Sequence, residues 1–501
     1  MRYSFKIMSS LLSAVILISA VICMPVNALE DTELTVPKIV VNTENGNGCE
    51  LEKSDGYVNA EISITDLDGS SLEDSVSFKV RGNTTSLSWI EKKAFTFKFS
   101  KKKDVLGMGK GKKWALIANA FDPTLLRNYL AFETARELGL EYTSNQKFVE
   151  LWLDGSFRGS YVLYEPVQAG ADRVDIDVES NDGMKDFLVE YETETAMANE
   201  EDTYFKAENI RFIAQEPEDP NDAQLEYLQN TLGDIIKALK TGDKEIIEEK
   251  VDLPSFVKYY ILNEYFKTYD FSVTSVFFYY KDGKLYAGPP WDYDLSMGNE
   301  NANLSSQRCK SANSPEGVFA DVNLLAFIAK KDWFKDMVKS EYEVHYDYFS
   351  NIHTEGGILD TIRSTYSDTI NRNYNEAGWQ PRRAWINIQR TPDSTYDGNY
   401  NFLKNWLSER HNWFEEYLEP FSREYIVGDT DGNGKVNIRD ATYIQLILAK
   451  VMYNKHYEIR GKVTGDELNI NDTTSIQKYL LGKNKDSAVG ETRTARFDKL
   501  S

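Results

Sequence analysis

Histidine and cysteine are scarce in this chain, which has 4 His and 3 Cys among its 501 residues. The histidines are His345, His353, His411 and His456, too widely spaced to indicate a zinc site or a histidine-based catalytic triad. The Gly-x-Ser-x-Gly motif of serine hydrolases is absent as well. The commonest hydrolytic machineries are therefore not expected here.

Cysteine is too rare for a disulfide framework. Cys23 falls in the apolar N-terminal stretch, which leaves Cys49 and Cys309 in the rest of the chain. Two cysteines allow at most one bridge, and their separation does not match a metal-binding motif. The sequence leaves open whether they pair or remain free.

Positive charge is in short supply, because 57 Lys and Arg face 79 Asp and Glu, for a net charge of -22. Nucleic acids and anionic membranes select basic surfaces, so neither is an expected partner. A hydrophobic content of 41% is enough for a sizeable core. The acidic balance suits cation binding.

Long apolar runs are also missing after residue 22, so no membrane span is expected once the N-terminus is removed. Residues 11–22 form a short apolar core that follows the basic Arg2 and Lys6. The small-residue end at Ala28 completes the pattern of a secretory signal peptide over residues 1–28. The mature protein is therefore predicted to be secreted and extracellular, starting with a linker at 29–36.

The spacing of apolar residues predicts strands first and helices later. Residues 38–99 contain short β-branched runs broken by Asn-Gly and Asp-Gly turns, and hairpins are expected around Asp154-Gly155 and Asp282-Gly283. Helices are predicted at 123–138, 222–240, 254–268, 332–350, 359–371 and 400–417. This order predicts an α+β domain of two lobes over residues 37–420.

Residues 429–440 match the twelve-residue calcium loop of EF-hand-like sites. Ca²⁺ takes six to eight hard oxygen ligands, and this spacing turns alternate side chains inward around Gly434. The predicted ligands are Asp429, Asp431, Asn433, the backbone carbonyl of Lys435, Asn437 and Asp440. A helix is predicted to follow at 441–450.

A second copy of the loop and helix ends near residue 482. Asp472-Thr473-Thr474-Ser475-Ile476-Gln477 echoes Asp440-Ala441-Thr442-Tyr443-Ile444-Gln445. Counting back from Asp472 puts Gly461, Val463 and Gly465 at loop positions 1, 3 and 5, where none has a ligating side chain. A one-residue deletion would instead recover Thr464 and Asp466 as ligands. Either way one good calcium site is expected, not two.

The duplicated pattern resembles a dockerin type I module, over residues 427–486, with a tail at 487–501. The resemblance implies a small all-α calcium-binding fold that binds a cohesin of a scaffoldin in a cell-surface cellulosome. By the same resemblance the partner-binding residues are Ile438, Arg439, Ile470 and Asn471.

Four segments in the larger part carry a second resemblance. They are Lys-Val-Arg-Gly-Asn-Thr-Thr at 79–85 with Lys-Lys-Ala-Phe-Thr-Phe-Lys-Phe at 92–99, Trp-Ala-Leu-Ile-Ala-Asn-Ala-Phe-Asp at 114–122 with Leu-Leu-Arg-Asn at 125–128, Gly-Ser-Tyr-Val-Leu-Tyr-Glu at 159–165, and Gly-Pro-Pro-Trp-Asp-Tyr-Asp at 288–294. In order and spacing they resemble the spore-coat CotH kinase family. The resemblance implies an atypical protein-kinase-like fold that transfers phosphate from ATP to Ser or Thr of a protein.

Kinase chemistry assigns roles to particular residues. Phosphoryl transfer needs a Lys and Mg²⁺ or Mn²⁺ to neutralise ATP, and a carboxylate to orient the attacking hydroxyl. The resemblance points to Lys98 as the phosphate-binding lysine, with Lys93 as its competitor. By the same resemblance Arg81 would lie in a turn over the nucleotide. Asp292 and Asp294 are the predicted magnesium ligands.

Asp270, upstream of the hairpin, is the predicted catalytic carboxylate. Active members of the family have Asn five residues after this Asp, whereas this chain has Ser275. A hydroxyl is a weaker Mg²⁺ ligand than an amide carbonyl, so the sequence leaves catalytic activity open.

Two other readings of the large domain stay open. It could be a non-catalytic structural or binding component of the cellulosome. It could also be a carbohydrate-active enzyme acting on plant polysaccharide, with two carboxylates across a cleft and tryptophans such as Trp379 and Trp385 stacking on sugars. No signature of a glycosidase, esterase or lyase supports the second of these readings.

Overall fold

The computed structural model describes residues 34–180, 183–196, 202–381, 388–418, 421–432, 434–451, 455–483 and 487–497. The predicted signal peptide lies outside these ranges, as does most of the predicted linker at 29–36. Residues from Thr35 onward form one unit. Within the described ranges, none of the helices has both the length and the apolar character needed to cross a bilayer.

A closed barrel of seven strands forms the N-terminal part. Its strands are β1 (Lys38–Thr43), β2 (Val58–Thr65), β3 (Ser71–Arg81), β4 (Ala94–Asp104), β5 (Lys110–Ile117), β6 (Gln146–Leu153) and β7 (Ser156–Tyr164), with helix α1 (Arg127–Glu137) between β5 and β6. They are joined in the order β1-β2-β3-β4-β5-β7-β6, and a parallel pairing of β1 with β6 closes the ring. Closure leaves no free edge among these strands, which protects them from pairing with other chains.

The barrel interior follows from strand alternation. Phe78, Phe95, Phe97 and Trp114 point inward and are fully buried, while the residues between them point outward. The predicted strands at 38–99 and the hairpin at Asp154-Gly155 are confirmed. Closure into a barrel was not predicted.

A second sheet combines strands from before and after residues 222–266, a stretch that contains three helices. Its strands are β10 (Phe187–Tyr191), β11 (Thr203–Ala207), β12 (Ile210–Glu216), β13 (Val276–Lys281) and β14 (Lys284–Ala287), after a short β8 (Glu179–Ser180) and β9 (Gly183–Met184) that pair only with each other. The order is β11-β12-β10-β13-β14. The predicted hairpin at Asp282-Gly283 is confirmed, whereas β10, β11 and β12 had been missed.

Helices make up most of the rest of the large domain. They are α2 (Asp222–Thr241), α3 (Lys244–Glu248), α4 (Leu253–Phe266), α5 (Gln307–Asn313), α6 (Asp332–Val344), α7 (Tyr346–Asn351), α8 (Ile358–Thr365), α9 (Ser367–Asn375) and α10 (Tyr396–Leu418). The helices predicted at 332–350 and 359–371 are each interrupted, at His345 and at Tyr366. A buried ion pair between Glu264 and Arg410, both 0% exposed, joins α4 to α10.

The terminal module contains two strands as well as helices. Its elements are β15 (Phe421–Ile426), α11 (Ile438–Leu448), α12 (Lys455–Gly461), α13 (Ile470–Leu480) and β16 (Thr492–Phe497). β15 and β16 pair in antiparallel fashion. Within the predicted bounds 427–486 the described elements are the helices α11, α12 and α13, while β15 precedes those bounds and β16 lies in the predicted tail at 487–501.

The two remaining cysteines do not form a disulfide. Cys49 is exposed and Cys309 is buried, and both are free. The alternative of a Cys49–Cys309 bridge is thereby excluded in this structure.

Candidate functional site

Three carboxylates meet where the second sheet adjoins the helices. Asp270 follows α4, and Asp292 and Asp294 follow β14; one oxygen of each lies within 4.8 Å of the others. Two backbone hydrogen bonds align the segments: Tyr269 N donates to Leu295 O (2.9 Å) and Met297 N donates to Phe266 O (2.8 Å). The structure thus brings together the three acidic residues singled out from the sequence.

The turn that carries Asp292 and Asp294 is held by residues 119–128. Asn128 Oδ1 accepts a hydrogen bond from Tyr293 N (2.6 Å), and Arg127 Nε donates to Ser296 O (3.0 Å). Arg127 is itself paired with Asp122 at 2.6 Å, and both side chains are buried. The Leu-Leu-Arg-Asn segment is therefore part of the scaffold of the acidic cluster.

The electrostatics of the cluster favour a bound cation. Burial, and then the charge of Asp292, raises the pKa of Asp270. Burial followed by the charges of Asp292 and Asp270 raises the pKa of Asp294. Clustered carboxylate oxygens are the ligands that Mg²⁺ and Mn²⁺ prefer, so the donor set fits such an ion. A cation here would relieve both the mutual repulsion and the cost of burial.

Asp292 has the left-handed backbone conformation, with φ of 62°. Residues other than glycine rarely adopt it, and such strain concentrates at functional sites. Burial raises the pKa of Asp292, while the charge of Arg81 opposes that shift. Arg81 therefore acts directly on the acidic cluster.

The barrel presents a cationic face beside this cluster. Lys98 on β4 pairs in register with Lys113 on β5, and Lys79 and Arg81 alternate outward along β3. Burial lowers the pKa of Lys113, and the charges of Arg81, Lys79 and Lys98 add to that effect while Glu218 opposes it. The four cations, named here the barrel cationic face, are close enough to act on one another.

The two candidate phosphate-binding lysines, Lys98 and Lys93, differ in their exposure to solvent and in their hydrogen bonds. Lys98 is exposed, although Ala94 and Thr96, with which it alternates along β4, are buried. Lys93 is buried, and its Nζ donates to Leu87 O (2.7 Å), Ser86 O (3.0 Å) and Glu52 (3.2 Å).

The Lys93 ammonium is therefore already engaged in closing the loop at 83–90, which makes Lys98 the better candidate for phosphate. Directly before that loop, Gly82 has φ of 90°, and a side chain there would collide with the Thr85 hydroxyl.

Ser275 also adopts the left-handed conformation, with φ of 59°. Its backbone N donates to Glu190 Oε1 (2.8 Å), and the Thr274 hydroxyl donates to Glu190 (3.2 Å) and Glu192 (3.1 Å). Burial raises the pKa of Glu190 to about 7. Glu190 holds the segment that follows Asp270, and no local motif pointed to it in the sequence.

Glu300 is a second acidic residue that sequence reasoning missed. It is 0% exposed, and neither carboxylate oxygen has a hydrogen-bond partner among the described residues. Burial raises its pKa to about 8, although Arg127 and Lys267 oppose the shift. Its charge acts on Asp270 in turn. The only signal in the sequence was its position, six residues after Asp294.

The predicted calcium loop brings three acids together in the terminal module. Asp429, Asp431 and Asp440 are buried, and one oxygen of each lies within 4.8 Å of the others. Burial, ahead of the neighbouring acids, raises the pKa of Asp429 to about 7 and that of Asp440 to about 6. Three hard oxygen donors at this spacing fit Ca²⁺.

The remaining predicted ligands of the loop are not part of this cluster of three acids. Asn437 caps α11 by accepting a hydrogen bond from Arg439 N (2.9 Å), and its amide donates to Lys435 O (3.2 Å). Gly434 N donates to Asp429 (2.7 Å), which closes the turn. Asn433 lies outside the described residues.

The second loop repeats the backbone pattern without the acids. Asp440 Oδ1 accepts from Asp431 N (3.2 Å), nine residues before it, and Asp472 Oδ1 accepts from Val463 N (3.0 Å) at the same separation. Asp472 Oδ1 also accepts from the backbone N (2.7 Å) and the hydroxyl (2.8 Å) of Thr464, so these bonds fit both ways of counting the loop positions. Within the described residues the second loop has no cluster of three acids.

The four predicted partner-binding residues begin the two equivalent helices. Ile438 and Ile470 are each 58% exposed. Arg439 and Asn471 each donate a backbone hydrogen bond of 2.9 Å to the preceding Asn cap. Arg439 also lines a cavity of about 670 Å³ together with residues of the large domain.

Trp379, a candidate for sugar stacking, has a structural role. Its indole N–H donates to Arg158 O (2.7 Å), and the Arg158 guanidinium lies 4.8 Å from its ring centroid. It thereby attaches the region after α9 to the barrel. Trp385 lies outside the described residues.

The fold and site define a mixed α/β protein in which a closed barrel with a cationic face adjoins a cluster of three carboxylates. The sequence model of a family described as "CotH kinase protein" matches residues 78–414, about two thirds of the chain. The chain belongs to this CotH kinase protein family. No curated protein matches it.

Proposed function

We propose that the large domain transfers phosphate from ATP to Ser or Thr residues of a protein. The observation that carries this proposal is the meeting of Asp270, Asp292 and Asp294 within 4.8 Å, with the charge of Arg81 acting on Asp292. Phosphoryl transfer is largely positioning and charge neutralisation, which this pairing of acids and cations suits.

Each group has a role that follows from its place. Asp292 and Asp294 would hold Mg²⁺ or Mn²⁺, which supplies charge neutralisation on the phosphates. Arg81 and Lys98, on the barrel cationic face, would bind phosphate oxygens. Asp270 would accept the proton of the attacking hydroxyl, and its raised pKa makes it a better base than an exposed aspartate.

We further propose that residues 427–486 form a dockerin-type module of a secreted protein, which binds one Ca²⁺ and a cohesin on a scaffoldin of a cell-surface cellulosome. The buried acids Asp429, Asp431 and Asp440 support the calcium site, and the two equivalent helix starts support a protein-binding role. Exposed Ile438 and Ile470 would form the apolar part of the partner contact.

The test of the kinase proposal is label transfer from γ-labelled ATP with Mg²⁺ or Mn²⁺, using wild type and Asp292→Ala. Self-labelling or labelling of a co-secreted protein that disappears in the variant supports the proposal. ATP binding without phosphate transfer supports the alternative of a non-catalytic binding component. The specific observation in favour of that alternative is Ser275, which stands where active members of the family have Asn. Depolymerisation of plant polysaccharide without label transfer would contradict the kinase proposal.

A further inference from the structure

Arg460 in the terminal module is almost fully buried, with 2% of its surface exposed. Its guanidinium lies against the calcium loop: a Cβ on Gly432 would be 2.5 Å from Arg460 Cζ. Its carbonyl accepts a hydrogen bond from Gly428 N (2.8 Å), at the start of the loop. Arg460 therefore forms part of the wall of the calcium loop.

The other side of the same guanidinium contacts the large domain. Arg460 Nη2 donates to Asp347 Oδ1 (2.8 Å), and its carbon lies 5.9 Å from the centroid of the Tyr346 ring. Both partners are at the start of α7. One buried side chain thus touches the calcium loop and the large domain at once.

Two tyrosines of the module extend this contact. The Tyr443 hydroxyl, on α11, donates to Glu355 O (3.1 Å). Tyr457, on α12, is fully buried, with its ring 5.2 Å from that of Tyr443. The docking contact means Arg460, Tyr443 and Tyr457 on one side and residues 346–355 on the other. It is built on α11, which follows the calcium loop, and on α12, whose Arg460 lies against that loop.

In the structure the closed loop places Gly432 against Arg460. Without a cation, the carboxylates of Asp429, Asp431 and Asp440, which lie within 4.8 Å of one another, would repel. Opening of the loop would move Gly432 away from Arg460 and would shift α11, which carries Tyr443. A bound Ca²⁺ would hold the loop closed and so hold both side chains in place.

We propose that Ca²⁺ binding at residues 429–440 docks the terminal module onto residues 346–355 of the large domain. This rests on the proposed calcium site. Binding and docking are then linked, so that a substitution that weakens docking of the Ca²⁺-bound chain more than docking of the Ca²⁺-free chain must also weaken Ca²⁺ binding. In this case Ca²⁺ controls whether the terminal module packs against the large domain, and the module does not move independently of that domain.

The test uses the mature chain, Ca²⁺ alone as the probe, and Asp347→Asn, which lies outside the calcium loop. Titration calorimetry should show that Asp347→Asn weakens Ca²⁺ binding about threefold to tenfold. Tyr443→Phe, which removes a single hydroxyl, should act in the same direction. Asp336→Asn, at an exposed position on α6, is the matched control and should leave the affinity unchanged.

Thermal unfolding gives an independent measurement. Ca²⁺ should raise the midpoint of the large domain in wild type, and this rise should be lost in Asp347→Asn. Wild-type Ca²⁺ affinity in the variant, or a large domain indifferent to bound Ca²⁺, would overturn the coupling while leaving the calcium site intact. Absence of any Ca²⁺ binding in wild type would instead overturn the calcium site, and the coupling with it.

Discussion

The guanidinium of Arg81 lies over the indole of Trp291, with its carbon 5.4 Å from the ring centroid. Trp291 directly precedes Asp292, and the charge of Arg81 opposes the rise in the pKa of that carboxyl. One stacking contact therefore joins the barrel cationic face to the acidic cluster. A guanidinium suits this position because it can stack on an aromatic ring and still bind an anion.

Replacement of Arg81 by Gln should weaken binding of ATP with Mg²⁺ by at least about tenfold, because a charge beside the phosphates is lost. Arg81→Lys should have an ATP affinity between those of wild type and Arg81→Gln, since it keeps the charge but loses the stacking on Trp291. Titration calorimetry measures both affinities. Lys101→Gln, at an exposed position farther along β4, is the control, and an equal loss there would mean that net charge alone matters.

Asp292→Asn should reduce Mn²⁺ binding by the large domain by at least about tenfold, because one of three converging carboxylates is removed. Electron paramagnetic resonance of free Mn²⁺ measures the binding. Asp282→Asn, in the exposed turn between β13 and β14, should bind Mn²⁺ as wild type does. Equal binding by both variants would argue against a metal at this cluster.

Glu300→Gln should make the protein more stable at high pH. Burial raises the pKa of Glu300 from 4.5 to about 8, so the folded chain retains a proton that the unfolded chain has released. Stability is therefore lost as pH rises between those values, and the neutral amide avoids the loss.

Urea unfolding in the presence of EDTA should show the variant about 2 kcal/mol or more above wild type at pH 8.5, and little difference near pH 5. Glu245→Gln, at an exposed position on α3, provides the comparison and should show no such trend. A constant difference across the pH range would mean that Glu300 is not the group responsible.

The terminal module should bind one Ca²⁺ per chain. Asp431→Asn should abolish binding in the micromolar range, because it removes one of the three buried carboxylates. Asp466→Asn is the matched change in the second loop and should leave both stoichiometry and affinity unaltered. Titration calorimetry that returned two ions, with Asp466→Asn losing one, would show that the second loop is intact.

Ser275→Asn should be tolerated and should increase phosphate transfer. Asn adopts the left-handed conformation of this position, φ 59°, more readily than Ser, and the backbone bond to Glu190 is unaffected by the change. The added amide oxygen is a better ligand for a second metal than the hydroxyl. Label transfer that stays at the wild-type level in a folded, Mn²⁺-binding variant would mean that Ser275 is not what limits activity.

The parts that could be predicted from the sequence are those encoded in short, contiguous stretches. Asp429, Asp431 and Asp440, which the structure brings together, lie within twelve positions of one another, and the Asp282-Gly283 hairpin needs only its own two strands. The convergence of Asp270 with Asp292 and Asp294 was expected from the resemblance to a family and not from spacing alone. Their separation in the chain permits many other arrangements.

The parts that escaped prediction depend on distant pairings. Barrel closure needs β1 and β6, which pair Lys38 with Glu150 across more than a hundred residues. Glu190 is linked to the site by Ser275, 85 residues further along. Such contacts cannot be predicted from hydrophobic periodicity or from local motifs, because they are determined by tertiary packing.

The pairing of β15 with β16 affects what happens when a protease cuts the terminal module. Phe421 lies opposite Phe497 and Ile426 lies opposite Thr492, so the segment from 427 to 491 is a loop with its ends fastened together. A protease cut anywhere inside that loop would leave the distal fragment bound to the rest of the protein by the strand ladder. The part of the module beyond the cut would then remain attached to the large domain without a peptide connection.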